Sequence, residues 1–393
     1  MASTLLEIQK LQFADKAAAE AALLQFLQIN YDPAVRSASI NTKPESLNSL
    51  NGIVELQSGS RYFFKTHTEE NEQLSDYYNS QMLSDAGYPM LQPTQIQHKP
   101  GQQIALYEVV TLPTLFDEIK KAEDVLLQSG RITDEARQLL RMNEELDGKV
   151  FDCYKQTLDT QTQDTSNAPI HQLFSHRMAL GGRIDLFYTG KNVLLDDRQF
   201  AFAELANLSW TINSVEYAQP LSVLVEQARD VFKENSASIS VVGHGDAHNG
   251  NLFVDYDKQR LSYFDPAFAG RHSPFLDLVK PLFHNVFARW MYFPDSVSEE
   301  FEITFKVDSG SIAVEHNFQP SEIRKQFFTS KITNTLIPLI QHLEKRHALP
   351  ADWKQQMRSA LFCCPFLTVN LFAQAQHRPG ERIGTVIRLH RRG

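Results

Sequence analysis

The run Val241-Val242-Gly243-His244-Gly245-Asp246-Ala247-His248-Asn249-Gly250-Asn251-Leu252-Phe253-Val254, followed by Leu261-Ser262-Tyr263-Phe264-Asp265-Pro266, decides how the rest of the chain is read. Apolar residues at both ends bracket a polar middle. The pattern is that of two short strands joined by a loop that carries Asp246 and Asn251, with Asp265 at the end of the strand that follows. A carboxylate at such a place can hold a hydroxyl and take its proton. Carboxylate and amide oxygens together suit a hard divalent cation such as magnesium.

The spacing adds a second layer. His244, Asp246 and Asn251 fit H-x-D-x-x-x-x-N, with a further Asp after the next strand. The stretch resembles the aminoglycoside phosphotransferase and choline kinase-like family, which has H-G-D-x-H-x-x-N where protein kinases have H-R-D. The continuation from Asp265-Pro266 through Gly270 to Asp277-Leu278 belongs to the same resemblance. It implies an α+β, bilobal protein-kinase-like fold with a small β-rich N-lobe and a larger, mainly helical C-lobe. It also implies a small-molecule kinase that moves the γ-phosphoryl group of ATP, or GTP, to a hydroxyl of an aminoglycoside-, sugar- or amino-alcohol-like acceptor. In that reading Asp246 is the base, Asn251 and Asp265 hold magnesium, and His244 and Asp277 support the loop.

Working outward, Val35–Ile40, Gly52–Gln57 and Arg61–His67 read as three strands, preceded by a helix over Ala14–Ile29 that Asp32-Pro33 stops. The connector Lys43–Gly52 has no G-x-G-x-x-G, yet Ser46, Asn48 and Ser49 offer hydroxyl, amide and backbone donors to phosphate oxygens. Lys65 is a lone cation in an apolar strand, which calls for an anionic partner. The resemblance makes it the lysine aimed at the nucleotide phosphates. The acidic helix Glu69–Asp85 should supply its carboxylate: the resemblance, counted back from Gly87-Tyr88-Pro89, puts the family's glutamate at Asp76, a shorter side chain here, with Glu72 one turn earlier as the competitor. Gln103–Val110 is the next apolar strand, and the resemblance makes it the hinge where backbone groups at Glu108 and Val110 bond adenine. The resulting division is 1–33 as a helical extension, 34–110 as the nucleotide-binding lobe, and 111–393 as the C-lobe, with the catalytic loop at 243–265 and a β-hairpin over 301–314.

The C-lobe reads mainly as helix, including Thr133–Leu146, Ala201–Ser209, Ser222–Lys233, a continuous run over Phe275–Phe293, and helices from Pro320 to Ala373. Thr160–Pro169 and Ala179–Asp185 read as exposed loops, and the arginines of His377–Gly393 as a solvated tail.

The bulk properties are those of a globular protein of 393 residues, 42% hydrophobic and 22% charged, large enough for two lobes. A formal net charge of −9 gives no general surface for nucleic acid or an anionic membrane. Only three cysteines, no long apolar run and no basic-then-apolar N-terminus lead to the expectation of a cytoplasmic protein; the small-molecule partner is what the resemblance implies. Two other readings remain open. His244, Asp246 and His248 could hold a metal in a hydrolase, although that leaves Lys65, Asn251 and Asp265 unexplained. Alternatively, the missing glycine-rich loop and the Asp at 76 would fit a pseudokinase that binds nucleotide without transfer.

Overall fold

The computed structural model describes residues 4–371 apart from 42–49, 67–74, 98, 100, 162, 165–166, 196–197, 234–235, 238 and 299. Ser46, Asn48, Ser49 and Glu72 therefore lie outside the described residues, as do the Asp76 side chain and the 377–393 tail.

The first half builds one antiparallel sheet. Strands β1 (Val35–Ile40), β2 (Leu50–Leu56), β3 (Arg61–Thr66), β4 (Gln95–Gln97) and β5 (Ile104–Glu108) stand in the order β1-β2-β3-β5-β4. Their composition is suited to a half-buried pleated surface, and alternate residues face inward. Two helices cover one face: α1 (Leu5–Leu11) and α2 (Lys16–Asn30). They lay Leu5, Ile8, Leu23, Phe26 and Leu27 against Val35, Leu50, Val54, Phe64 and Leu106. The expected helix over Ala14–Ile29 is α2, whereas α1 was not anticipated. Its signal was Thr4 with Glu7 three residues on, which form a complete capping box.

Helix α3 (Ser75–Asp85) follows β3 and ends at Gly87, whose φ of +97° is the left-handed stop that glycine adopts without strain. From there the chain crosses to the second half. The Tyr263 N–H donates to the Pro89 carbonyl at 2.7 Å, and the Tyr263 carbonyl accepts from the Leu91 N–H at 2.8 Å. The Tyr88 hydroxyl donates to the Val242 carbonyl at 3.1 Å. These bonds tie the linker to the two strands that carry the candidate site.

The larger half is helical around α4 (Leu115–Ser129), α5 (Asp134–Thr157) and α6 (Pro169–Met178). Buried ion pairs fix its helix register. Glu123 on α4 takes two bonds from Arg324, at 2.7 and 2.8 Å, and Asp147 on α5 pairs with Lys331. Such pairs roughly break even against desolvation, so their value is in specifying which turns meet. Arg324 Nη1 also donates to the Asn285 carbonyl at 2.9 Å, while Asn285 Oδ1 accepts the Asn249 N–H at 2.8 Å. The helix framework is thereby bonded directly to the polar loop.

Two helical expectations need correction. Ala201–Ser209 is helical only over Phe202–Leu205, because Arg198–Ala201 and Ser209–Ile212 are strands that pair elsewhere. Phe275–Phe293 is broken into Pro274–Asp277, Val279–His284 and Arg289–Tyr292. The break after His284 is where Asn285 turns to cap the loop. The hairpin in this half runs Ile303–Val307 and Ser311–His316, and joins Ser209–Ile212 and Val215–Tyr217 in a four-stranded sheet. Among the described residues no helix is long and apolar enough to cross a membrane.

Candidate active site

Strand Val241–Gly243 pairs antiparallel with Gly270–His272, and Leu252–Asp255 pairs with Arg260–Tyr263. Between the two lies the polar loop, closed by a 3₁₀ turn at Asn249–Asn251 that the His248 side chain caps at Gly250 N. Gly245 has φ of +73°, and a Cβ there would stand 2.1 Å from the Phe268 carbonyl, so both backbone angle and space require glycine.

Asp277 lies under this loop. Its Oδ1 accepts the Gly245 N–H at 2.5 Å and faces His272 Nε2 at 3.1 Å, while Oδ2 accepts the Tyr154 hydroxyl at 2.5 Å. Burial alone would raise this carboxyl, but the bonds from His272, Tyr154 and Gly245 outweigh it and hold it at about 2. His244 is fully buried. Its Nδ1 accepts the Asp246 N–H at 3.3 Å and its Nε2 faces the Phe264 carbonyl at 3.2 Å, which fixes the Nε2-protonated tautomer. Burial pushes its pKa below the ordinary 6.5.

That arrangement bears on the hydrolase reading. A metal-binding histidine needs a free nitrogen lone pair, and that of His244 is already committed to the Asp246 N–H. His248 Nδ1 is likewise engaged, with Gly250 N–H at 3.0 Å. Among the described residues no group of three or more His, Cys, Asp or Glu side chains is arranged to hold a metal.

Asp246 has a partner that the sequence reading missed. Lys280 Nζ stands 3.0 Å from Asp246 Oδ1, with His248 Nε2 at 3.5 Å from the same oxygen. Lys280 is 8% exposed, and its ammonium also lies over the Phe268 ring at 4.0 Å. Burial would raise the Asp246 carboxyl, but Lys280, then His248, overcome it and hold it well below the usual carboxylate range. Both of these contacts are made to Oδ1. The missed signal was present in Leu278-Val279-Lys280-Pro281-Leu282: a lone lysine in an apolar run, the same cue that singled out Lys65.

Asn251 Nδ2 donates to the Asp246 carbonyl at 2.9 Å, which leaves Oδ1 as the free donor oxygen. The Phe264 N–H donates to the Asn251 carbonyl at 3.0 Å, so Asn251 and Asp265 flank one another across the strand pair. Asp265 has φ of +53°, a left-handed backbone uncommon outside glycine, as the chain turns into Pro266. An amide oxygen beside a carboxylate is a hard-oxygen set that fits magnesium. Lys65 Nζ reaches Asp265 Oδ1 at 2.5 Å, so one partner of this lysine comes from the far half of the chain. Glu108 ends β5 exposed, and Val110 follows it in the linker.

A five-stranded sheet with a lysine on its third strand, joined to a helical half that carries an H-x-D-x-x-x-x-N loop and a following Asp, is a bilobal kinase-like architecture. No family model matches the chain, and no curated protein sequence matches it. Similar solved structures include a glucosamine kinase in complex with glucosamine, ADP and inorganic phosphate, 14% identical with a TM-score of 0.42, covering 88% of this chain and 76% of that one. Another is the aminoglycoside phosphotransferase APH(3'')-Id from Streptomyces rimosus, 13% identical with a TM-score of 0.42 over 87% of this chain and 96% of that one. A third is the macrolide 2'-phosphotransferase MphH from Brachybacterium faecium, 10% identical with a TM-score of 0.39 over 95% and 99%.

Proposed function

We propose that the chain is a small-molecule kinase, which transfers the γ-phosphoryl group of ATP or GTP to an acceptor hydroxyl. The observation that carries this reading is Asp246: a mostly buried carboxylate on the polar loop, kept ionised by Lys280 against one of its oxygens. A loose phosphoryl-transfer transition state asks for a positioned hydroxyl more than for a strong base. The Asp246 carboxylate orients the acceptor O–H. As the new P–O bond forms and the bond to the β-phosphate oxygen breaks, the hydroxyl proton passes to Asp246. The products are a phosphate monoester and the nucleoside diphosphate.

Asn251 and Asp265 would hold magnesium, which when bound neutralises charge on the phosphate oxygens. Lys65 would exchange its contact with Asp265 for phosphate oxygens, and Asp76 is assigned to hold it from α3. Ser46, Asn48 and Ser49 are assigned to the phosphates, and the backbone at Glu108 and Val110 to the base. His244 and Asp277 hold the loop from beneath: His244 Nδ1 accepts the Asp246 N–H, Asp277 Oδ1 accepts the Gly245 N–H, and both side chains are buried.

The test is acceptor-dependent, magnesium-dependent consumption of ATP over a panel of hydroxyl compounds, with the phosphate monoester detected by phosphorus NMR. Turnover without ATP would favour the hydrolase, and nucleotide binding without turnover the pseudokinase.

A further inference from the structure

The dipeptide Asp265-Pro266 is gripped from the sheet-bearing half by two side chains on separate elements. Lys65 on β3 reaches the Asp265 carboxylate at 2.5 Å. Asn79 on α3 donates from Nδ2 to the Pro266 carbonyl at 3.3 Å. Asn79 is 7% exposed, so this bond is shielded from water.

The turn they hold is conformationally demanding. Asp265 has φ of +53°, and a proline follows it, which narrows the backbone choices of the residue before it. A residue in that state keeps it only where its surroundings hold it there. From the helical half, the Phe264 N–H bonds to the Asn251 carbonyl at 3.0 Å on one side of the turn. On the other side the Ala269 N–H bonds to the Pro266 carbonyl, also at 3.0 Å. The Asn79 amide adds a second donor to that same carbonyl, and it comes from the other lobe.

The two grips differ in their response to magnesium. Lys65 occupies Asp265 Oδ1, on the carboxylate assigned to the metal, so a cation bound at that oxygen must displace the ammonium. Asn79 is neutral and spends its donor on a backbone carbonyl, so it leaves the carboxylate free and keeps its hold while the metal binds. Magnesium asks for near-octahedral oxygen geometry at about 2.0–2.1 Å, which a loosely held carboxylate does not meet.

Resting on the phosphotransferase reading, we propose that Asn79 is a positioning residue for magnesium. From α3 it fixes the backbone that aims the Asp265 carboxylate, and it thereby makes metal affinity depend on where α3 sits. Asp76, assigned to hold Lys65, lies three positions earlier on the same helix, so α3 would serve the phosphate lysine and the metal ligand together.

The test uses the full chain with ADP, and manganese as the probe for magnesium, its free and bound forms counted by electron paramagnetic resonance. Asn79→Leu fills the space without a donor, and Asn79→Ala truncates the amide with a good helix former, so the measurement does not hang on one variant's folding. Partners that orient metal ligands are worth about 10–100-fold in affinity, and the lower end applies to a bond on the adjoining backbone. Manganese affinity in the presence of ADP should therefore fall about 10-fold in both variants, with ADP affinity in the absence of metal unchanged. In turnover, the magnesium needed for half-maximal rate should rise by the same factor, with kcat at saturating magnesium near that of the wild type. Manganese affinity equal to the wild type in either folded variant overturns the proposal. A parallel loss of metal-free ADP affinity also overturns it, because the bond would then be a general support of the lobe. A wild type that binds ADP but no manganese brings down the metal assignment together with this inference. Phosphoryl transfer with unaltered manganese affinity in the variants overturns the role of Asn79 alone.

Discussion

Lys280 Nζ lies 3.0 Å from Asp246 Oδ1, and this contact sets the protonation state of the group that must receive the acceptor proton. Without Lys280, burial would dominate and the Asp246 pKa would rise. Lys280→Met should therefore lower kcat and move the acid limb of the pH–rate profile upward. It should also destabilise the fold by about 1–3 kcal/mol, as expected when a mostly buried charged acceptor loses its donor. The pH–rate profile and urea unfolding of the variant check this. An acid limb in its wild-type position would mean that Lys280 does not tune Asp246.

Histidine burial gives a stability prediction of its own. His244, His248 and His284 all have pKa values depressed by burial, His284 to about 3 from the ordinary 6.5. A depressed folded-state value means the neutral form is the one folding favours. The contribution is complete above 6.5 and is lost as pH falls from there toward the folded value. Unfolding free energy should thus decline from pH 6.5 to 4. His284→Gln should flatten that slope by up to one proton, about 1.4 kcal/mol per pH unit. Urea unfolding at several pH values is the measurement, and an unaltered slope would contradict the assignment.

The role of Lys65 can be divided between its two candidate contacts. Lys65→Ala should raise the KM for nucleotide, and Asp76→Asn should do so nearly as much. The double variant should be strongly non-additive, because both changes break one interaction. Glu72→Gln should be mild, as for a solvated helix carboxylate. If Glu72→Gln is the damaging change and Asp76→Asn is silent, the helix register is one turn off. Asp265→Ala, which removes the described partner at 2.5 Å, should instead raise the magnesium needed for activity.

Much of the scaffold was legible because its signals are local. The strands of the sheet follow from alternation and turn residues, and the loop between Gly243 and Leu252 from its polar run between apolar ends. Lys65 and Asp265 could each be picked out, but their pairing could not: it joins positions 200 apart, and sequence spacing carries nothing over that distance. Lys280 was overlooked because a continuous helix was expected there, and on such a helix a single lysine reads as a solvated residue. The broken helix at Phe275–Phe293 was missed for a related reason. At the break Asn285 Oδ1 accepts the Asn249 N–H, a bond whose partner lies on another element. Phe202–Leu205 lost its neighbours to strands that pair across the sheet, where tertiary contacts override helix propensity.

The central claim is that Asp246 receives the acceptor proton while other groups bind the nucleotide. Asp246→Asn keeps the shape and one donor-acceptor site but removes the base and the negative charge beside Lys280. The direct measurement is kcat for phosphorylation of the best acceptor, taken together with nucleotide affinity, in the wild type and in Asp246→Asn. The account predicts a loss of about 10²–10⁴-fold in kcat with nucleotide affinity nearly unchanged. Wild-type turnover in Asp246→Asn would contradict it.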